Sequence, residues 1–256
     1  MQKQPEKSPR LITISVSHYC EKARWALERL EVPYIEERHM PLFHRLATRK
    51  SGGGQTTPVL VTETGTLSDS SDILQYLDGM TDESAKLHPA DPKLRREVEK
   101  LEDLFNKQLG PSIRLWAYFY LLDDRQLMRR LWCDGVPPIE RALFPIVFPL
   151  IREAARRGYN ITAESSASAH GKIKRIFENV NARLADGRSY LVGDRFSAAD
   201  LTFACLAAPA VLPAEYGASL PHLDELPDEI AVAIKELRET PAGAYILRLF
   251  REERQR

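Results

Sequence analysis

A β-branched run that passes straight into an amphipathic helix constrains this chain more than any other feature. Residues 11–16 (LITISV) have the composition of a buried strand. Ser17 follows, and then Cys20, Ala23, Leu27 and Leu30 recur at helical spacing. Val32-Pro33 ends that helix, because a residue before proline is pushed out of the helical region. Residues 34–38 supply a second short strand. Strand, helix and strand in this order predict a parallel pair joined by a right-handed crossover.

The pattern continues to about residue 79. Residues 42–50 read as a short helix, and Gly52, Gly53 and Gly54 impose a loop. Pro58-Val59-Leu60-Val61 begins a third strand, Gly65 turns it, and Thr66-Leu67 begins a fourth. Ser68, Asp69 and Ser70 are capping residues for a helix through Ile73, Leu74 and Leu77. The predicted order is βαβαββα over residues 11–79, preceded by a loose polar tail at 1–10. Residues 80–92, with Pro89 and Pro92, read as a linker. Beyond them the period is helical throughout. Leu94, Val98, Leu101, Phe105 and Leu109 mark a long helix, and further periods fall at 141–157, 171–184, 198–208, 230–237 and 242–252. The expected organisation is therefore an α+β domain at 11–79 and an all-α domain at 93–256.

Lys plus Arg and Asp plus Glu number 36 each, so the net charge is zero, which argues against a nucleic-acid partner. Cys20, Cys133 and Cys205 are odd in number and widely spaced, with no zinc or disulfide pattern. The first ten residues lack the apolar core of a secretory signal, and the apolar stretches 142–151 and 201–214 are short and interrupted by prolines. These features predict a cytoplasmic protein without a membrane span or a metal. Phe196-Ser197-Ala198-Ala199-Asp200-Leu201 reads as a capping box with Phe196 and Leu201 as its hydrophobic staple, a folding signal rather than a chemical one.

Four separated segments resemble the glutathione transferase superfamily in order and spacing. Ser17-His18-Tyr19-Cys20 at the strand-to-helix junction is similar to its S-x-x-C or C-x-x-C start. Gln55-Thr56-Thr57-Pro58-Val59-Leu60 is similar to its V-P-V-L loop, with Thr57 in place of Val and a cis proline implied. Leu67-Ser68-Asp69-Ser70-Ser71 is similar to its acidic-Ser signature, although Asp69 stands where Glu is usual, and residues 197–200 resemble its capping box. The segment 123–164 and the tail beyond Tyr216 match less clearly. The resemblance implies a thioredoxin-like first domain that binds glutathione, an all-helical second domain, a homodimer, and a small hydrophobic electrophile or an organic peroxide as second substrate.

Glutathione must be held and its thiol ionised, and a free thiol near pKa 8.5 is only a few per cent thiolate at neutral pH. A helix N-terminus and one hydroxyl aimed at the sulfur supply that stabilisation. Ser17 is the candidate catalytic donor; the same hydroxyl would also serve as a plain helix cap. Cys20 is a second candidate, which would act through a mixed disulfide, but it also reads as a core position on the apolar face. Tyr19 is a third donor. The resemblance implies that Thr57 and Pro58 pair with the cysteinyl part of glutathione, that Asp69 and Ser70 take its γ-glutamyl end, and that Gln55, Arg49 or Lys50 takes its glycyl end. Trp116, Phe119 and Tyr120 share one helical face and are wall candidates for the second substrate, although such stripes commonly form core. Leu143 to Pro149 and Trp132 would close the opposite wall. Lys22 and Arg24 read as solvated or interdomain charges. Besides the transferase, two other functions fit the same residues: a non-catalytic binding module, and a thiol oxidoreductase working through Cys20.

Overall fold

A computed structural model describes residues 8–254. The tail expected at 1–10 falls outside it up to residue 7. Four strands form one mixed sheet in the order β2-β1-β3-β4. They are β1 (Arg10–Thr13), β2 (Ile35–Arg38), β3 (Val59–Thr62) and β4 (Gly65–Leu67). β1 and β2 run parallel, and both other pairings are antiparallel. The parallel step needs a crossover, which α1 (His18–Arg29) supplies. The first strand is shorter than the β-branched run, because Ser15 and Val16 turn the chain so that the Ser17 N–H bonds the Ile14 carbonyl at 3.0 Å. α2 (His44–Lys50) and α3 (Ser70–Asp78) complete the thioredoxin-like unit.

From Pro92 onward all regular structure is helical. α4 (Pro92–Leu104) continues through one π-helical segment, Phe105–Leu109, into α5 (Gly110–Leu121). A π turn inserts extra residue per turn and so rotates the faces of the two halves relative to each other. α6 (Arg125–Trp132), α7 (Pro138–Gly158), α8 (Ala163–Leu184), α9 (Ala198–Ala207), α10 (Asp228–Glu239) and α11 (Pro241–Glu253) follow. α9 is buried along its whole length and packs on α1, α4 and α11. The segment 123–164, which matches the family pattern less clearly, contains α6 and α7, the second over the helical period expected at 141–157. α7 runs through Pro145 and Pro149. Pro149 has no N–H for the Pro145 carbonyl, and Arg125 Nη2 bonds that oxygen instead at 3.3 Å.

Lys22 and Arg24, read as solvated or interdomain charges, are both buried, and Lys22 is an interdomain one. Lys22 finds its partners far away in sequence, and Arg24 pairs with a carboxylate of β2 as well as with its helix neighbour Glu21, so local spacing carries no clear sign of burial. Arg24 is held by Glu21 (2.7 Å) and Glu36 (2.8 Å). Lys22 lies 2.7 Å from Glu102 of α4 and 3.1 Å from the Ser71 hydroxyl, tying the two domains together. Glu102 also meets His88, whose other ring nitrogen lies 2.6 Å from Asp78. Burial alone would lower the His88 pKa, but hydrogen bonds to Asp78 and Glu102 outweigh it and raise it from 6.5 to about 9. Burial would raise Glu102, but Lys22 and then the His88 hydrogen bond bring it from 4.5 down to about 2.

A raised histidine stabilises the fold fully below its unfolded pKa and loses that effect as pH rises through the folded value. A lowered carboxylate does the reverse on the acid side. This cluster therefore contributes most between about 4.5 and 6.5, and its contribution falls from there toward pH 9. Thermal melts of the wild type and His88→Gln across this range should converge on the alkaline side. A constant gap would contradict the linkage.

Candidate functional site

Ser17 is the N-cap of α1, and its hydroxyl accepts from the Cys20 N–H at 3.4 Å. That bond is long and uses an acceptor lone pair, leaving the O–H itself to donate. Ser17, His18 and Tyr19 line one side of a cavity of about 580 Å³ between the domains. Gln55, Thr56 and Thr57 lie on the same side, and the Thr57-Pro58 peptide bond is cis. Gln55 is exposed, and its carbonyl is bonded to His44 Nε2 at 3.0 Å. Asp69 and Ser70 begin α3 outside the cavity lining. Asp69 is the exposed cap, accepting from the Ser71 N–H at 2.7 Å, and Ser70 is buried in the first turn. Arg49 and Lys50 also lie off the lining.

Two of the other hydroxyl and thiol candidates are placed against the roles considered for them. Cys20 is fully buried, and desolvation raises its pKa, so thiolate formation and access to a disulfide partner are both opposed. The Cys20 side chain belongs to the core. The Tyr19 hydroxyl donates to the Asn106 carbonyl in the π-helical segment at 2.7 Å, and burial pushes its pKa up to about 12. A Cβ at Gly110 would come within 2.3 Å of that hydroxyl, so the bare glycine backbone accommodates it.

The aromatic stripe of α5 does not form the cavity wall. Trp116 is buried and stacks on His170 of α8 at 5.3 Å, while Phe119 and Tyr120 meet each other edge-on away from the lining. α5 packs chiefly on α8, and this contact claims Trp116. The face turned to the cavity carries Arg114, Ala117, Tyr118 and Leu121, an i, i+3, i+4, i+7 set. The far wall includes Trp132, as expected, but α7 contributes Leu150, Ile151, Ala154 and Ala155 rather than the preceding turns. Ile230 and Ile234 of α10 complete it.

His18 and Arg114 were not singled out from sequence. His18 is buried with Nε2 unpartnered, and desolvation followed by the Arg114 charge lowers its pKa to about 3, so it is neutral at ordinary pH. Its position inside the S-x-x-C segment was the available signal. Among the described residues no cluster of His, Cys, Asp and Glu suits a metal ion, and no helix is long and apolar enough to cross a membrane.

Residues 11–85 match the family model for the glutathione S-transferase N-terminal domain, and residues 151–236 that for its C-terminal domain. A search among curated proteins finds no match. Among solved structures the fold is similar to the β-etherase LigF from Sphingobium sp. strain SYK-6, with TM-score 0.60 and 15% identity over 94% of this chain and 99% of that one. It is also similar to a glutathione S-transferase from Methylobacillus flagellatus KT with GSH bound (TM-score 0.56, 17% identity, 93% and 98% covered). A third, from Methylobacterium radiotolerans in complex with glutathione sulfonate, gives TM-score 0.54 and 20% identity with 92% of each chain covered. The two family matches together span more than half the sequence and fall in the two structural units in the family's order, so the chain belongs to the glutathione S-transferase superfamily.

Proposed function

We propose that the protein is a glutathione transferase in which Ser17 activates the glutathione thiol for attack on a small hydrophobic electrophile. The observation that carries this reading is the Ser17 hydroxyl at the N-terminus of α1, facing an apolar interdomain cavity beside the cis Thr57-Pro58 loop. Solved relatives of this fold named as holding GSH or glutathione sulfonate support the same ligand here. The Thr57 backbone is suited to strand-like pairing with the cysteinyl part of glutathione. Asp69 and Ser70 at the start of α3 offer a carboxylate for an ammonium group and N–H groups for a carboxylate. Gln55 is available to the glycyl end. Family membership is also the ground for expecting a cytoplasmic homodimer.

Lowering a thiol pKa by about two units needs roughly 2.7 kcal/mol of differential stabilisation. A helix end together with one charge-assisted hydrogen bond is of that size. Ser17→Ala removes the bond and keeps the helix end. Turnover with an activated aryl halide should fall about tenfold or more while glutathione affinity, measured by calorimetry, changes less than about threefold. Wild-type turnover in the variant would remove Ser17 from the chemistry. Absence of glutathione binding in the folded wild type would instead favour a non-catalytic module.

A further inference from the structure

The described lining of the interdomain cavity contains two arginines and two histidines but no aspartate or glutamate. Arg45 and His44 sit on the α2 side near Gln55, the end assigned above to glutathione. Arg114 stands apart from them on α5, among Ala117, Tyr118 and Leu121 of the helical domain. Its guanidinium lies over the Tyr159 ring at 4.3 Å, and its Nε is buried without a hydrogen-bond partner. The side chain makes no ion pair among the described residues, whereas Arg24, Arg38 and Arg254 are each held by carboxylates. Beside it, His18 is 5% exposed and also carries an unpartnered ring nitrogen.

Arg114 is partly buried, with its Nε enclosed and no carboxylate beside it, and an apolar cavity strengthens the attraction of such a cation for any anion that enters. Buried polar groups without partners are the exception in folded proteins and call for a ligand or a water. Arg114 supplies the positive charge in a planar fork suited to a carboxylate. The neutral imidazole of His18 can add one hydrogen bond without repelling either that anion or a thiolate near Ser17. The rest of the wall, from Met128, Leu131, Ile151, Ile230 and Ile234, suits the body of an aromatic or branched aliphatic molecule.

We infer that the second substrate of this protein is an anionic amphiphile, an apolar electrophile bearing a carboxylate or comparable acid group, and that Arg114 with His18 forms the subsite that binds the acid. This rests on the transferase reading and names the substrate class of the same site. Arg114 is thereby a specificity-determining residue, and the nucleophile remains the glutathione sulfur. With a chloronitrobenzoate, the new bond is carbon–sulfur, the chloride leaves with the carbon–chlorine electron pair, and the thiol proton passes to solvent.

The test uses the full chain saturated with glutathione and needs no turnover. Calorimetric titration compares nitrobenzoate with nitrobenzamide, which have the same shape and no leaving group. The wild type should bind the acid about tenfold more tightly, Arg114→Gln should abolish that preference by weakening the acid alone, and Arg114→Lys should retain most of it. Equal affinity for the two probes in the wild type overturns the inference, as does an equal loss of both in Arg114→Gln. Glutathione titrated first separates the failures: loss of its binding rejects the transferase reading, while retained binding with no acid preference rejects only the subsite. Kinetics on chloronitrobenzoate and its carboxamide add a second readout. In Arg114→Gln, KM should rise about tenfold for the acid alone. A fall in kcat for both substrates would assign Arg114 to the sulfur and overturn the specificity role.

Discussion

Replacing Asp200 by alanine should destabilise the protein by at least about 4 kcal/mol, read from the midpoint of urea unfolding. The Asp200 side chain is completely buried at the start of α9. It accepts from the Leu191 N–H at 2.7 Å, the Ser197 N–H at 2.8 Å, the Ser197 hydroxyl at 2.7 Å and the Tyr245 hydroxyl. Burial pushes its carboxyl above the ordinary range, and these bonds oppose that shift. Alanine leaves two backbone N–H groups and one phenol buried without partners, each at about 1–3 kcal/mol. Asparagine keeps the shape but turns an NH₂ toward donors, so it should recover only part of the loss. An Asp200→Ala midpoint equivalent to less than about 1 kcal/mol would mean that water or a local shift replaces the carboxylate.

The capping box could be read from six consecutive residues because its two main partners are three positions apart. Its other two contacts, Leu191 and Tyr245, come from a loop and a helix that spacing does not connect to it. The same division runs through the whole molecule. The strand-to-helix start at residues 11–29 follows from local composition, the cis Thr57-Pro58 bond is implied by the family resemblance, and the structure has both. The phase of α5 does not. Trp116, Phe119 and Tyr120 were visible as a stripe, but only packing against α8 decides that this stripe is turned from the cavity and that Arg114 faces it. Ser17 was legible because a hydroxyl just before a helix has a local meaning. His18 was not, since its unpartnered nitrogen arises from burial by another domain.

The burial of Lys22 was hidden for the same reason, and it leads to the second large effect. Lys22→Met should cost about 3–5 kcal/mol, because it removes one member of a buried ion pair and leaves the other. The lysine side chain is wholly enclosed, its Nζ is 2.7 Å from Glu102 Oε1, and Ser71 and Asn106 complete its shell at 3.1 and 3.4 Å. Methionine fills a similar volume, so the loss is electrostatic rather than a cavity. Glu102 retains His88 and the Ser71 hydroxyl, which places the expected value toward the lower end of the range. Lys22 is also the main favourable influence holding Glu102 down near pKa 2. Without it the carboxyl titrates at higher pH, and the acid limb of the stability profile should move upward with it. The double variant Lys22→Met, Glu102→Gln removes the stranded charge and should recover part of the stability lost in the single one. Because the pair joins α1 to α4, the single variant should also expose the interdomain contact, seen as faster amide exchange in both helices. If the two changes simply add, the pair is not coupled in solution, and the domains are held by the apolar contact of Trp25 with Phe196 and Phe250 instead.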